Sequence, residues 1–123
     1  MFEWFLIIIS YLVLKFNDNC GLISDGDTVK SVSIYGSPRR CGGQGYIISG
    51  SVAVFLSWAR QHIEAADPDS NLSCKNPAVL GSIAGSAMTR KAASLAFSNK
   101  KRSTVTGDII ECLGKVTIRY SII

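Results

Sequence analysis

Apolar residues are concentrated in two stretches in the first half of the chain. In the first, residues 4–14 are apolar apart from Ser10, and the wider segment 2–16 would span ~22 Å as a helix. The hydrocarbon core of a bilayer is about 30 Å thick, so such a helix is short for a span. We interpret residues 1–16 as an uncleaved membrane anchor or signal-like segment. A strand buried on both faces is the alternative, favoured by the isoleucine run at 7–9.

The second apolar stretch covers residues 45–59 and predicts a helix. Polar residues follow it, and Asp67-Pro68 is expected to stop the helix. Its length suits either a second short membrane segment or a buried globular helix. Small residues recur at every fourth position, and the stripe they form predicts close approach of another backbone: Gly45, Ser49, Ala53 and Ser57.

The segment between these stretches is rich in turn-forming residues. Within it, residues 28–35 alternate modestly between apolar and polar side chains and predict one short strand. Residues 36–45 contain four glycines and a proline, a composition that predicts a loop.

A third helix is predicted to begin at Asn76-Pro77. Asn is a favoured N-cap and Pro is tolerated in the first helical turn, and the pattern continues to Ser98. The helix contains a GxxxG pair, Gly81 and Gly85. We interpret this pair as a chance occurrence, because Arg90 interrupts the apolar segment that such a motif requires.

The C-terminal residues predict a β-hairpin. Apolar and polar side chains alternate along residues 116–123, and residues 108–113 form a second candidate strand. The whole chain is therefore interpreted as a small α+β chain with one or two short apolar helices able to enter a membrane, a third helix and this hairpin. Residues 17–123 form a single small domain or a loosely structured region, with a candidate second membrane segment at 45–59.

Composition and charge narrow the functional classes. The chain has 123 residues, 47% of them hydrophobic, which excludes a fully disordered protein. The net charge is +4, but the basic residues fall in small separate groups rather than in one stripe, and this disfavours a nucleic-acid site. Glutamate is scarce, with three residues, as expected of a membrane-leaning composition or of a reading frame not refined by selection.

Two candidate modifications depend on the cellular compartment. Asn71-Leu72-Ser73 is a glycosylation sequon if its segment faces away from the cytosol. If both apolar stretches span, the basic residues between them place Asn71 on that outer side. Cys74 and Cys112 would lie there too and form the candidate disulfide.

The sequence predicts no catalytic, cofactor or metal site. The glycine-rich residues 42–45 lack the Gly-Lys-Ser/Thr of a P-loop, and Ile48 stands where a dinucleotide fingerprint needs its third glycine. No pair of cysteines is close enough for a zinc knuckle. His62, the one histidine of the chain, is interpreted as a surface residue near a helix end.

A five-residue segment, Asp25-Gly26-Asp27-Thr28-Val29, resembles the first motif of haloacid-dehalogenase-type phosphatases. The resemblance implies that Asp25 is a nucleophile and Asp27 a general acid, with Mg²⁺ beside them. Few aspartates remain to complete such a domain, so we expect an exposed turn and no activity that depends on either residue.

We therefore expect a small, basic, non-enzymatic membrane protein. The lipid bilayer is the expected partner, and no small-molecule substrate is identified. Two alternatives stay open: the product of an unselected reading frame with no defined function, and a soluble basic α+β domain that binds a protein or nucleic acid. The expected location is the membrane, with a secreted or cytoplasmic location as the alternative.

Overall fold

A computed structural model describes residues 6–9, 12–16, 21–65 and 76–120, and within these ranges four strands precede three helices. The strands are β1 (Leu6–Ile9), β2 (Leu12–Phe16), β3 (Gly21–Ser24) and β4 (Val29–Val32). The helices are α1 (Gln44–Ala65), α2 (Pro77–Lys100) and α3 (Thr106–Tyr120), with a 3-10 turn, Lys101–Ser103, between the last two.

The N-terminal apolar stretch forms strands. β1 pairs with β2 in antiparallel register, with Ile9 opposite Leu12. The isoleucines at 7–9 are β-branched, and such side chains lose rotamer freedom in a helix but fit a pleated sheet. The helical anchor expected at residues 1–16 is therefore wrong over its described part, which forms two strands. Extended structure agrees with the alternative of a strand, whose burial on both faces stays a prediction.

The sheet continues in chain order, β1-β2-β3-β4, with every pair antiparallel. The strand predicted within residues 28–35 is confirmed as β4, although it is shorter. Ile23 of β3 and Val32 of β4 are buried together with Val79 of α2. This small cluster attaches one face of the sheet to α2.

α1 confirms the helix predicted from the second apolar stretch, and its described part ends at Ala65. The expected stop, Asp67-Pro68, lies outside the described residues. The predicted role of its small-residue stripe is wrong: Ser49 and Ala53 are exposed, whereas Val52 and Phe55 are buried. Among the described residues, no helix combines the length and the hydropathy that a membrane crossing requires.

α2 begins as the sequence predicts. The Asn76 side chain accepts a hydrogen bond from the Ala78 N–H at 3.0 Å, and Pro77 occupies the first turn. The helix runs two residues beyond the predicted end at Ser98, to Lys100. Lys101 then adopts a positive φ of 53°, and its N–H donates to the Phe97 carbonyl, which ends the helix.

The GxxxG pair of α2 is the contact point with α1, which corrects its interpretation as chance. A Cβ atom on Gly81 would lie 2.7 Å from the Leu56 backbone, and one on Gly85 would lie 2.9 Å from the Val52 backbone nitrogen. Only glycine permits so close an approach at these two positions. The pair therefore brings two helices of one chain together, instead of two membrane spans.

α3 replaces the predicted C-terminal hairpin. Its buried side chains, Ile109, Cys112 and Val116, follow helical spacing and pack against alanines of α2. Asp108 accepts a hydrogen bond from the Val105 N–H at 2.9 Å and so caps the first turn. The hairpin expected at 108–113 and 116–123 is therefore wrong up to residue 120. The helical spacing of the buried side chains and the Asp108 cap stabilise a helix more than the alternating pattern stabilises strands.

Candidate functional site

A glycine-rich loop, residues 42–45, leads directly into the N-terminus of α1 and is the candidate functional site. Gly43 has a φ of 90°, a conformation that favours glycine. The Tyr46 N–H donates to the Gly43 carbonyl at 3.1 Å, which closes a tight turn. The first N–H groups of a helix have no partner within the helix, so the loop presents donors at the positive end of the α1 dipole.

The segment that begins α3 holds this loop in place. The Thr106 hydroxyl donates to the Gly42 carbonyl, and the Cys41 thiol donates to the Thr104 carbonyl at 3.3 Å. The Thr104 hydroxyl in turn donates to the Lys101 carbonyl at 2.6 Å. The N-termini of α1 and α3 therefore lie side by side, and the 3-10 turn is fixed next to the loop.

The charges beside the loop are basic. Arg39 and Arg40 lie one residue before it, separated from it by Cys41, and are exposed. Lys101 and Arg102 are exposed on the 3-10 turn. The carboxylate of Asp108 is already used as the cap of α3. Backbone N–H groups at a helix N-terminus with basic side chains nearby form a setting that favours an anion, above all a phosphate.

An apolar groove adjoins the loop. It has a volume of about 580 Å³ and lies between the outer face of α1, Met88 of α2, and Ile110 and Leu113 of α3. None of the described residues that line it is charged. On α1 it follows residues spaced by four, one helical turn after another: Tyr46, Gly50, Val54 and Trp58.

The Asp25 segment forms a closed turn between β3 and β4. One carboxylate oxygen of Asp25 accepts from the N–H groups of Thr28 and Asp27, at 2.8 and 3.1 Å. The other accepts from the Asn76 side-chain amide at 3.0 Å. The Thr28 N–H above all, then Asn76 and the Asp27 N–H, lower the pKa of Asp25 to about 2. The geometry is that of the expected turn; the absence of activity stays a prediction.

The other residues singled out by sequence do not converge on the loop. His62 is exposed near the end of α1. Cys112 is buried as a free thiol in the α2–α3 core. Asn71 and Cys74 lie outside the described residues, so the glycosylation and the disulfide stay predictions. Within the part of the chain that the structure describes, no three His, Cys, Asp or Glu side chains form a metal-binding group.

Comparison with known proteins relates most of the chain to a class of ATP-dependent enzymes, the dehydratases that act on hydrated nicotinamide nucleotides. A Vitis vinifera protein is 79% identical over 94 residues, which is 76% of this chain, and an Arabidopsis thaliana protein is 69% identical over 94 residues. A Physcomitrium patens protein is 48% identical over 97 residues. Each is named ATP-dependent (S)-NAD(P)H-hydrate dehydratase.

These matches cover only part of the relatives. The chain spans about a quarter of their length: 26% of the Vitis protein, 25% of the Arabidopsis protein and 28% of the Physcomitrium protein. No family model matches the chain.

The expected function is overturned by these relatives. A small non-enzymatic membrane protein is wrong, because homologues at up to 79% identity are named as an enzyme. An unselected reading frame would not match enzymes from three plants at this level over more than 90 residues.

The glycine-rich loop is the feature that sequence reasoning missed. Residues 42–45 fit neither of the two nucleotide-binding motifs that contain glycines at similar spacing. The usable signal was positional: a glycine pair, followed by the first turn of a helix that the sequence itself predicted. Such a junction exposes backbone N–H groups whatever motif surrounds it.

Proposed function

We propose that this chain supplies the ATP-phosphate-binding part of an ATP-dependent (S)-NAD(P)H-hydrate dehydratase. The observation that carries the proposal is the 79% identity over 94 residues with the Vitis protein of that name. The chain spans about a quarter of that relative. We therefore assign to it only the binding of the ATP phosphates, and we assign the binding of the hydrate to regions that correspond to the rest of the Vitis protein.

The loop geometry suits the phosphates of ATP. Gly43 has no Cβ, so a phosphate oxygen can approach its backbone, and the N-terminus of α1 contributes N–H donors and a positive dipole. Arg39 and Arg40, separated from the loop by Cys41, add positive charge. Thr106 holds the Gly42 carbonyl, which keeps the loop in one conformation before the nucleotide binds.

The chemistry explains why ATP would be required. A hydroxyl on the hydrated ring is a poor leaving group, whereas a phosphate ester is a good one. In the proposed reaction the hydroxyl oxygen attacks the terminal phosphorus, the hydroxyl proton passes to solvent and ADP leaves. Phosphate then departs as the adjacent carbon loses a proton, and this restores the ring double bond. The loop would stabilise the negative charge on the transferring phosphoryl group.

The first test is a nucleotide titration of the chain. We expect calorimetry to detect binding of ATP and much weaker binding of adenosine, which has no phosphates. Gly43→Ala should weaken ATP binding by roughly tenfold or more, because a side chain then occupies the phosphate approach. Gly26→Ala is the matched control: Gly26 also has a positive φ, of 98°, but lies in the β3–β4 turn. Equal binding by both variants would contradict the proposed site.

The second test is a graft. The 94 matching residues of this chain replace their counterparts in the Vitis relative, and the enzyme is supplied with NAD(P)H hydrate. We expect ATP-dependent return of the near-ultraviolet absorbance of the dihydronicotinamide ring, and none without ATP. A folded graft that binds the hydrate but never restores this absorbance would refute the proposed function.

A further inference from the structure

The outer face of α1 carries large apolar side chains that no other described part of the chain covers. Tyr46 is 86% exposed, Val54 47% and Ile110, across the groove on α3, 54%. From Tyr46 to Trp58 the face extends ~18 Å along the helix, at 1.5 Å per residue. Scattered apolar side chains are normal at a surface, but a continuous patch of this kind marks an interaction site.

The composition of the groove is that of a protein interface. Its described lining contains Tyr, Trp, Phe and Met and no charged residue, as the centre of an interface does. Trp58 is held edge-on against Phe55, with ring centres 5.4 Å apart, so its exposed side is presented in a fixed orientation.

A small ligand fits this groove less well than a segment of polypeptide does. Small-molecule sites combine apolar walls with a few polar groups that orient the ligand. Here the polar side chains are the hydroxyls of Ser51 and Tyr46, and Ser51 is buried on α1. A nucleobase would leave most of its polar edge unpaired, whereas a helix or strand satisfies its own backbone and needs only apolar contact.

The occupant is indicated by the relatives. The matched region is 26% of the Vitis protein, so most of that protein lies outside the match and has to pack against this part somewhere. We propose that the groove is the surface on which the remaining part of a hydrate dehydratase chain docks, through an apolar helix or strand. This inference rests on the proposed function for the identity of the occupant.

The experiment measures the accessibility of the groove in the free chain and in the graft. Val54→Cys places a thiol on the groove, and Arg60→Cys places a matched thiol on an exposed charged position of the same helix. Both are labelled with a maleimide and followed by peptide mass spectrometry, which separates them from the native cysteines. We expect the Val54→Cys thiol to react about tenfold or more slowly in the graft than in the free chain, and the Arg60→Cys thiol to react alike in both.

A cysteine introduced into the Vitis relative at the residue matched to Val54 provides a second measurement that does not depend on folding of the graft. Fast labelling there and in the graft would overturn the proposal. The proposal would also be overturned if the Val54→Cys thiol were labelled slowly in the free chain and the rate fell further as the protein concentration rose. That result would indicate a second copy of the chain as the occupant. Dehydratase activity is measured separately. An active graft with an accessible groove rejects only the docking, and an inactive graft with a protected groove rejects only the function.

Discussion

Two of the contacts that attach α2 to the rest of the structure are built on different physical principles. Its contact with α1 depends on shape: the missing side chains of Gly81 and Gly85 admit the α1 backbone. Its contact with the β3–β4 turn depends on hydrogen bonds: Asn76 caps the helix and donates to Asp25. The first contact has no room for an added atom and carries no charge. The second accepts other groups of similar shape, but it contains an ionised carboxylate.

The two contacts should therefore respond to different changes, one to side-chain volume and the other to pH. Close packing responds to volume and is indifferent to pH. A hydrogen-bonded carboxylate responds to protonation, because its partners favour the charged form. Substitutions on the two sides should therefore differ in size and also in how their effect changes with pH.

The largest effect is expected from a single methyl group at the helix contact. Gly81→Ala should lower the free energy of unfolding by about 2 kcal/mol, since overpacking against backbone costs up to about 3 kcal/mol and alanine returns about 1 in helix propensity. Urea denaturation measures the change. Gly50→Ala on α1 is the control: its Cβ would meet nothing within 4 Å, so it should gain up to about 1 kcal/mol. Effects of the same sign at both glycines would show that the approach is not tight.

Removal of the cap tests the hydrogen-bonded contact. Asn76→Ala should destabilise the chain by about 1 kcal/mol, because the Ala78 N–H loses its acceptor. Asn76→Ser keeps an oxygen for the cap but loses the amide that donates to Asp25, so its loss should be smaller. Denaturation midpoints of the two variants separate the two hydrogen bonds. A serine variant as unstable as the alanine variant would place the main contribution on Asp25 instead.

The opposite end of α2 offers a gain. Lys101 is a non-glycine residue with a φ of 53° and a ψ of −132°, a conformation that costs about 1–2 kcal/mol in L-residues. Lys101→Gly should therefore stabilise the chain by about 0.5–1 kcal/mol after the greater freedom of glycine in the unfolded state is deducted. Lys100→Gly, at a negative φ of −110° that any residue adopts, should destabilise it. Thermal denaturation of the pair decides the sign.

The smallest effect is expected from acid. The pKa of Asp25 is about 2 in the folded chain, below its ordinary value of 3.8. The charged form is therefore favoured by folding, so its contribution to stability is present above pH 4 and is lost as the pH falls towards 2. Asp25→Asn should flatten the fall of the melting temperature over this range. Asp27→Asn removes the same charge from the same turn and should keep the wild-type slope; a flat slope in that variant would point to net charge as the cause.

The sequence predicts an element most reliably where a capping residue or a proline marks its end. The Asn76-Pro77 start of α2 is confirmed, whereas Asp67-Pro68, the expected stop after α1, lies outside the described residues. The N-terminal strands were mistaken for a helix because a short apolar run has no period, and only the pairing with β3 makes it a sheet. The alternation after Val116 predicts a hairpin where the structure has α3. The helical spacing of Ile109, Cys112 and Val116 is short, and it becomes decisive only when α2 packs against these side chains.

The candidate site was less predictable than the fold. Its glycines were visible in the sequence, but its arrangement depends on Thr104 and Thr106, which no motif links to residues 42–45. The role of Gly81 and Gly85 was hidden for the same reason. Their meaning depends on which helix lies opposite, and that is a property of tertiary packing.

The contacts that hold the glycine-rich loop also set the order in which it is completed during synthesis. Gly42 and Cys41 are separated from their partners Thr106 and Thr104 by 64 and 63 residues. A ribosome adding about 5–20 residues per second makes the second member of each pair roughly 3–13 s after the first. After about the first third of that interval α1 has been synthesised, but its entry loop still lacks both supports. A nascent chain stalled before Thr104 would therefore contain α1 and α2 but no contacts that fix the loop. Nucleotide binding should begin only after the start of α3 has been made.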